Sequence, residues 1–196
     1  MVTMSDVPLS DHQFPESSRV ESIRKPTEPQ EMTSSPFEIR PAVPEDWEVI
    51  ADLNTRLAAE TEGLELVPAV IGAGVRELLK NPHYGRYFVA VSAGRVIGQI
   101  MHTSEWSDWR NGEIWWLQSV YVHPDFRQRG VFRQLHAYLE ELARCSPTVI
   151  GLRLYAEQSN SNALNVYHSL GLEQTGYIVL ERFLRNSLRK TERTEG

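Results

Sequence analysis

Apolar and polar positions along this chain recur in two rhythms, one of two residues and one of three to four. Phe37-Glu38-Ile39-Arg40 alternates in twos and predicts a short strand, stopped by Pro41 and Pro44. Pro44 is placed to open a helix, and Asp46 adds negative charge to its first turn. Trp47, Ile50, Leu53 and Leu57 then follow helical spacing, with Asn54 as the polar exception on that face. A second helix is predicted from about Pro68 to Lys80, with Val70, Ile71, Val75, Leu78 and Leu79 on its apolar side and Asn81-Pro82 as its stop. Residues 86–92 and 95–102 flank Ala93-Gly94 and read as a hairpin. A loop rich in tryptophan and acid follows at 105–112, and then a long, mostly apolar strand at 113–122, broken by His123-Pro124-Asp125. Val131, Phe132, Leu135, Tyr138, Leu139 and Leu142 recur at steps of three and four, which predicts an amphipathic helix to about Arg144. A strand at 149–156, a helix at 160–169 ended by Gly171, and a last strand at about 172–182 complete the pattern.

The order is therefore β-α-α-β-β-β-α-β-α-β. Strand, helix, strand between residues 113 and 156 reads as a right-handed parallel crossover, while the hairpin before it is antiparallel. The fold class expected is α/β (α+β): a mixed, mostly antiparallel sheet with a central parallel β-α-β crossover and helices on both faces. Residues 1–36 hold five prolines and ten Ser or Thr without periodicity, and read as a disordered tail. The domain is expected at 37–183, followed by a polar tail at 184–196.

Charge and composition narrow the function. A net charge of -6 argues against nucleic acid as the main partner. The single cysteine, Cys145, allows no internal disulfide, which fits a reducing, cytoplasmic setting. No apolar run approaches the length of a membrane span, and no secretory signal is evident. Neither a Cys pair nor any other motif calls for a metal.

The candidate chemistry lies between the strand ending at Val122 and the helix that follows. Arg127-Gln128-Arg129-Gly130 forms a tight turn at a helix N-terminus, where free amide N–H groups and a partial positive charge meet two guanidinium groups. Gly130 lets a phosphate approach the backbone, so the loop predicts an anion site. It lacks the spacing of a Walker loop and the three glycines of a dinucleotide fingerprint.

Val120-Tyr121-Val122-His123-Pro124-Asp125-Phe126-Arg127-Gln128-Arg129-Gly130-Val131-Phe132 resembles the strand and Gln/Arg-x-x-Gly-x-Gly/Ala turn of the GNAT superfamily of N-acetyltransferases. The family's second motif, Asn-x-x-Ala-x-x-x-Tyr before a glycine turn, is matched by Asn160, Ala163, Tyr167 and Gly171. Phe132 departs from the pattern, because a small residue is usual there. Its place on the apolar stripe with Leu135 and Leu139 suits a core position; the other reading is a side chain that crowds the phosphate.

The resemblance implies an N-acetyltransferase that moves an acetyl group from acetyl-CoA to a primary amine by direct attack in a ternary complex. It implies that the pantetheine arm pairs with Val120, Tyr121 and Val122, that the pyrophosphate meets Arg127, Gln128, Arg129, Gly130, Val131, Phe132 and Arg133, and that Asn160 contacts the cofactor arm. Tyr167 would protonate the leaving thiolate. The base is open among Glu105, Asp108, Glu113, His102, His123 and solvent, with Glu105 the preferred residue. Trp106, Trp109, Glu105 and Asp108 are candidates to receive a cationic acceptor, a small-molecule or peptide amine. Trp115 and Trp116 must face opposite sides of their strand. Dimers are frequent among similar proteins. The competing reading is an acyl-CoA-binding regulatory module with little catalysis.

Overall fold

The computed structural model describes residues 36–158, 160–182 and 184. The expected tails lie, but for Pro36 and Leu184, outside the described residues. Strand β1 is Glu38–Pro41; a 3-10 turn at Pro44–Asp46 then leads into helix α1, Trp47–Glu62. Asp46 anchors that entry: its carboxylate accepts from the Val43 N–H at 2.8 Å and from both Arg40 amino groups, at 2.7 and 2.9 Å. Gly63, at φ 63°, ends α1 in the left-handed conformation that favours glycine. Helix α2 is Pro68–Lys80, β2 is Arg86–Ser92, β3 is Arg95–Ser107 and β4 is Gly112–Val122. Helix α3 is Val131–Cys145, β5 is Val149–Leu154 and α4 is Ser161–Ser169.

The five strands among the described residues form one sheet in sequence order. β1 to β4 pair antiparallel, and β4 pairs parallel with β5 across the α3 crossover. Strand alternation divides the core in two. Phe88, Ala90, Ile97, Ile100 and Leu117 meet Val131, Leu135 and Leu139 of α3. Tyr87, Val89, Val96, Met101 and Tyr121 join Ile50, Leu53 and Val75 of α1 and α2 in the second cluster. The sheet thus carries helices on both faces, as the periodicities predict.

Two expectations need correction. β3 runs on to Ser107, so the tryptophan-rich segment is the end of a hairpin rather than a free loop from 105. The predicted last strand, 172–182, is no strand here. Its apolar run Tyr177-Ile178-Val179-Leu180 is 66–86% exposed. Strand propensity is local, but a strand also needs a ladder partner and a covered face, and this segment has neither among the described residues.

Candidate active site

The parallel pairing of β4 with β5 starts at Glu113↔Val149 and ends at Leu117↔Leu154. β4 continues for five residues past that last pair, to Val122. Its edge beyond Leu117 therefore carries backbone donors and acceptors with no strand beside them on the β5 side among the described residues. At the start of this stretch β4 bulges. The register with β3 passes from Gln99↔Tyr121 to Met101↔Gln118, and Ser119 sits at φ 48°. A bulge re-aims the side chains around it. Val120 and Val122 pack toward α3, whereas Tyr121 packs toward α1.

The loop follows at once. A 3-10 turn at Pro124–Phe126 is tied down by the His123 ring, whose Nδ1 accepts from the Asp125 N–H at 3.4 Å. Gln128 (φ 61°) and Gly130 (φ 81°) both take left-handed backbone, and Gly130 caps α3. The first turn of α3 leaves its N–H groups without helical acceptors, so the loop is an anion cradle in geometry as well as in composition. The two arginines differ. Arg127 donates from Nε to the Val122 carbonyl at 2.9 Å and pairs with Glu60 at 2.7 Å, tying the loop to α1. Tyr121 donates its hydroxyl to the same Glu60 carboxylate. Arg129 and Arg133 are exposed. Phe132 packs against the α3-side core, with its ring 5.8 Å from that of Tyr167, edge-on. That contact sets Tyr167 beside the first turn of α3. Burial raises the Tyr167 pKa, so the hydroxyl stays protonated at neutral pH. Asn160 caps α4 by accepting the Ala163 N–H at 3.0 Å, which leaves its NH2 group as the donor.

On the other face of the sheet, Ser119 forms part of a cavity of about 240 Å³ with Asn54, Leu57, Ala58, Glu62, Leu66, Ile71 and Tyr87. A buried chain of hydrogen bonds underlies it. Gln99 donates to Asn54 Oδ1 at 2.8 Å, Asn54 to Tyr87 Oη at 2.9 Å, and Tyr87 to Ser119 Oγ at 3.4 Å. One strand position is thus shared by the floor of this cavity and the start of the β4–β5 gap.

The family model for the acetyltransferase (GNAT) family matches residues 47–172. The chain belongs to the GNAT acetyltransferase family. Among solved structures, a possible acetyltransferase from Clostridium difficile 630 is 41% identical, with a TM-score of 0.72, covering 76% of this chain and 98% of that one. A ribosomal-protein-alanine N-acetyltransferase from Brucella melitensis biovar Abortus 2308 shares the fold at 17% identity and a TM-score of 0.62, covering 75% of this chain and 99% of that one. An aminoglycoside N-acetyltransferase in complex with CoA does so at 22% identity and a TM-score of 0.64, covering 76% of this chain and 95% of that one. Comparison with curated proteins finds no match. This enzyme is accordingly an N-acetyltransferase, and its family transfers acyl groups from acetyl-CoA.

Within this acetyltransferase Glu105, Trp106, Asp108, Trp109 and Glu113 lie before the gap along the hairpin and β4. Glu105 accepts from the Trp116 indole and pairs with Arg153 at 3.4 Å. It stands opposite Ile114 in the ladder, five residues from Ser119, which is about 17 Å along a strand. Trp106 and Trp109 are 57% and 85% exposed near the hairpin tip, where Asp108 accepts the Trp109 N–H, and none of these lines the Ser119 cavity. Trp115 and Trp116 do face opposite sides. Trp115 stacks on His102 with ring centres 3.9 Å apart, and Trp116 stacks on Tyr155 at 4.5 Å. Gln118 donates to Thr103 at 3.1 Å. Glu113 accepts from Thr148 at 3.0 Å. Asn54, Tyr87, Ser119, Glu60 and Glu62 were not among the predicted site residues. Only Asn54 carried a signal, as a polar side chain on an apolar helix face.

Proposed function

We propose that this enzyme moves the acetyl group of acetyl-CoA to a primary amine bound in the cavity at Ser119, by direct attack in a ternary complex. The observation that carries the reading is the gap: β4 outruns β5 after Leu117, bulges at Ser119, and leads straight into the Gly130 cradle. A pantetheine arm laid along Val120, Tyr121 and Val122 completes the unpaired edge of the strand. The pyrophosphate then meets the amides of Gln128 to Arg133, with Arg129, whose guanidinium lies over the Phe126 ring, and the exposed Arg133 as the cationic groups and Arg127 holding the loop on α1. Asn160 offers its NH2 group to the arm from across the gap.

The amine must lose a proton before it attacks. With a pKa near 10.4, about one alkylamine in 10³ is neutral at pH 7, at a cost of about 4 kcal/mol. We assign this step to water at the cavity mouth beside Glu62 rather than to Glu105, whose carboxylate is engaged by Trp116 and Arg153. Attack on the thioester carbonyl breaks the C–S bond, and Tyr167 protonates the departing thiolate.

Two measurements test the reading. Acetyl-CoA at about 100 times its dissociation constant is expected to stabilise the protein by about 2.7 kcal/mol, raising the melting temperature by roughly 5–10 °C. No shift at millimolar acetyl-CoA would remove the cofactor site. Tyr167→Phe is expected to lower kcat by roughly 10²-fold while the acetyl-CoA-induced shift persists. Unchanged turnover would take Tyr167 out of the mechanism.

A further inference from the structure

We infer that the acceptor is an aliphatic primary amine with a compact apolar body, and not a polyhydroxylated or polycationic amine; the inference rests on the Ser119 cavity being the acceptor site. Three features of the cavity point to this class.

The first is its walls. Leu57 and Ala58 of α1, Leu66 of the connecting loop and Ile71 of α2 line the cavity with hydrocarbon side chains. A hydroxyl set against those side chains finds no partner on them.

The second is its floor. Asn54, Tyr87 and Ser119 spend about half of their donors and acceptors in the chain that begins at Gln99. What remains is one Asn54 N–H, the Ser119 hydroxyl proton and a lone pair each on Asn54 Oδ1, Tyr87 Oη and Ser119 Oγ. That suffices for a single amine nitrogen at the bulge, and is too little for the many polar groups of a sugar-like acceptor.

The third is charge. Glu62 is the one ionisable carboxylate in the lining. The neighbouring Glu60 is already held by Arg127 and Tyr121. One ammonium is therefore drawn in, and a second finds no counter-charge. The open pocket of about 240 Å³ has room for about eight waters, enough for an amine with a few carbon atoms beyond its nitrogen.

The test is release of free thiol from acetyl-CoA across a graded series: ethylamine, n-butylamine, 3-methylbutylamine, 4-amino-1-butanol, putrescine and kanamycin. The expected result is a rise in kcat/KM of about fourfold per added methylene along the alkylamines, the factor for burying one CH2. 4-Amino-1-butanol, putrescine and kanamycin should fall at least about tenfold below n-butylamine, the loss expected when a buried polar group goes unpaired. Leu66→Gln should erase the preference for n-butylamine over 4-amino-1-butanol and leave KM for acetyl-CoA unchanged. Glu62→Gln should raise the amine KM more than it lowers kcat. Equal rates across the series, or faster turnover of the hydroxylated or dicationic amines, overturns the class. So does a protein that is stabilised by acetyl-CoA but acetylates none of the alkylamines, while the cofactor reading survives. Absence of any acetyl-CoA-induced stabilisation overturns the parent reading along with it.

Discussion

His102 shows how much one side chain depends on its surroundings. It projects from β3 toward α3, where its ring stacks on Trp115 at 3.9 Å and lies 6.0 Å from Phe88, and neither ring nitrogen has a hydrogen-bond partner among the described residues. Burial, assisted by the charge of Arg86, pushes its pKa down to about 4. In the unfolded chain it titrates near 6.5, so between about pH 6.5 and 4 the unfolded state binds the extra proton. Stability is complete above pH 6.5 and declines as pH falls through that window, by up to about 3 kcal/mol. His102→Phe keeps the stack and removes the titration, so denaturant melts at pH 7 and pH 5 should differ less in the variant. An undiminished acid loss would shift the cause to other groups. Gly130 gives a second residue-scale outcome. A Cβ there meets nothing within 4 Å, yet φ is +81°, so Gly130→Ala costs about 1–2 kcal/mol of backbone strain. Relief of that strain moves the cradle amides, and calorimetry should show acetyl-CoA affinity falling by about tenfold. The sequence made Gly130 legible because glycine after a strand and before a helix is itself a signal. It did not make Tyr87 or Ser119 legible, because a bulge and a cross-strand hydrogen bond depend on register, which no local pattern records.

At the scale of elements, α3 carries the most. It caps the cradle at one end and fills one half of the core with Val131, Leu135 and Leu139. Leu139 is fully buried, so Leu139→Ala should cost about 2–5 kcal/mol. This helix is legible to within a residue or so, because Val131, Leu135 and Leu139 of its apolar stripe are also buried, although Leu142 is exposed and His136 takes a buried place. The hairpin and the crossover were legible for the same reason. Segment 172–182 carries a strand pattern without forming a strand, because a short apolar run has strand propensity whether or not a neighbour completes the ladder. Glu105 is legible as a candidate base from its place in sequence beside the central strand, but its distance from the bulge is not, because that depends on the ladder register, which sets it opposite Ile114.

For the whole molecule, one sheet joins two half-cores. Ile50 anchors the α1–α2 face and Leu139 the α3 face, and both are fully buried. Because β2, β3 and β4 contribute to both clusters, neither half unfolds alone. Ile50→Ala and Leu139→Ala should each lower the same single urea transition, and the double variant should lose the sum of the two within about 0.5 kcal/mol. Two separate transitions would show that the halves are independent. The unpaired stretch of β4 beyond Leu117 has a consequence in another observable. In the ligand-free enzyme, the amide hydrogens that face the gap are covered by no neighbouring strand, so they should exchange with deuterium far faster than those of the same strand before Leu117. A molecule that lies along that edge turns fast exchangers into slow ones, so mass spectrometry of the free and loaded protein would map its footprint one peptide at a time.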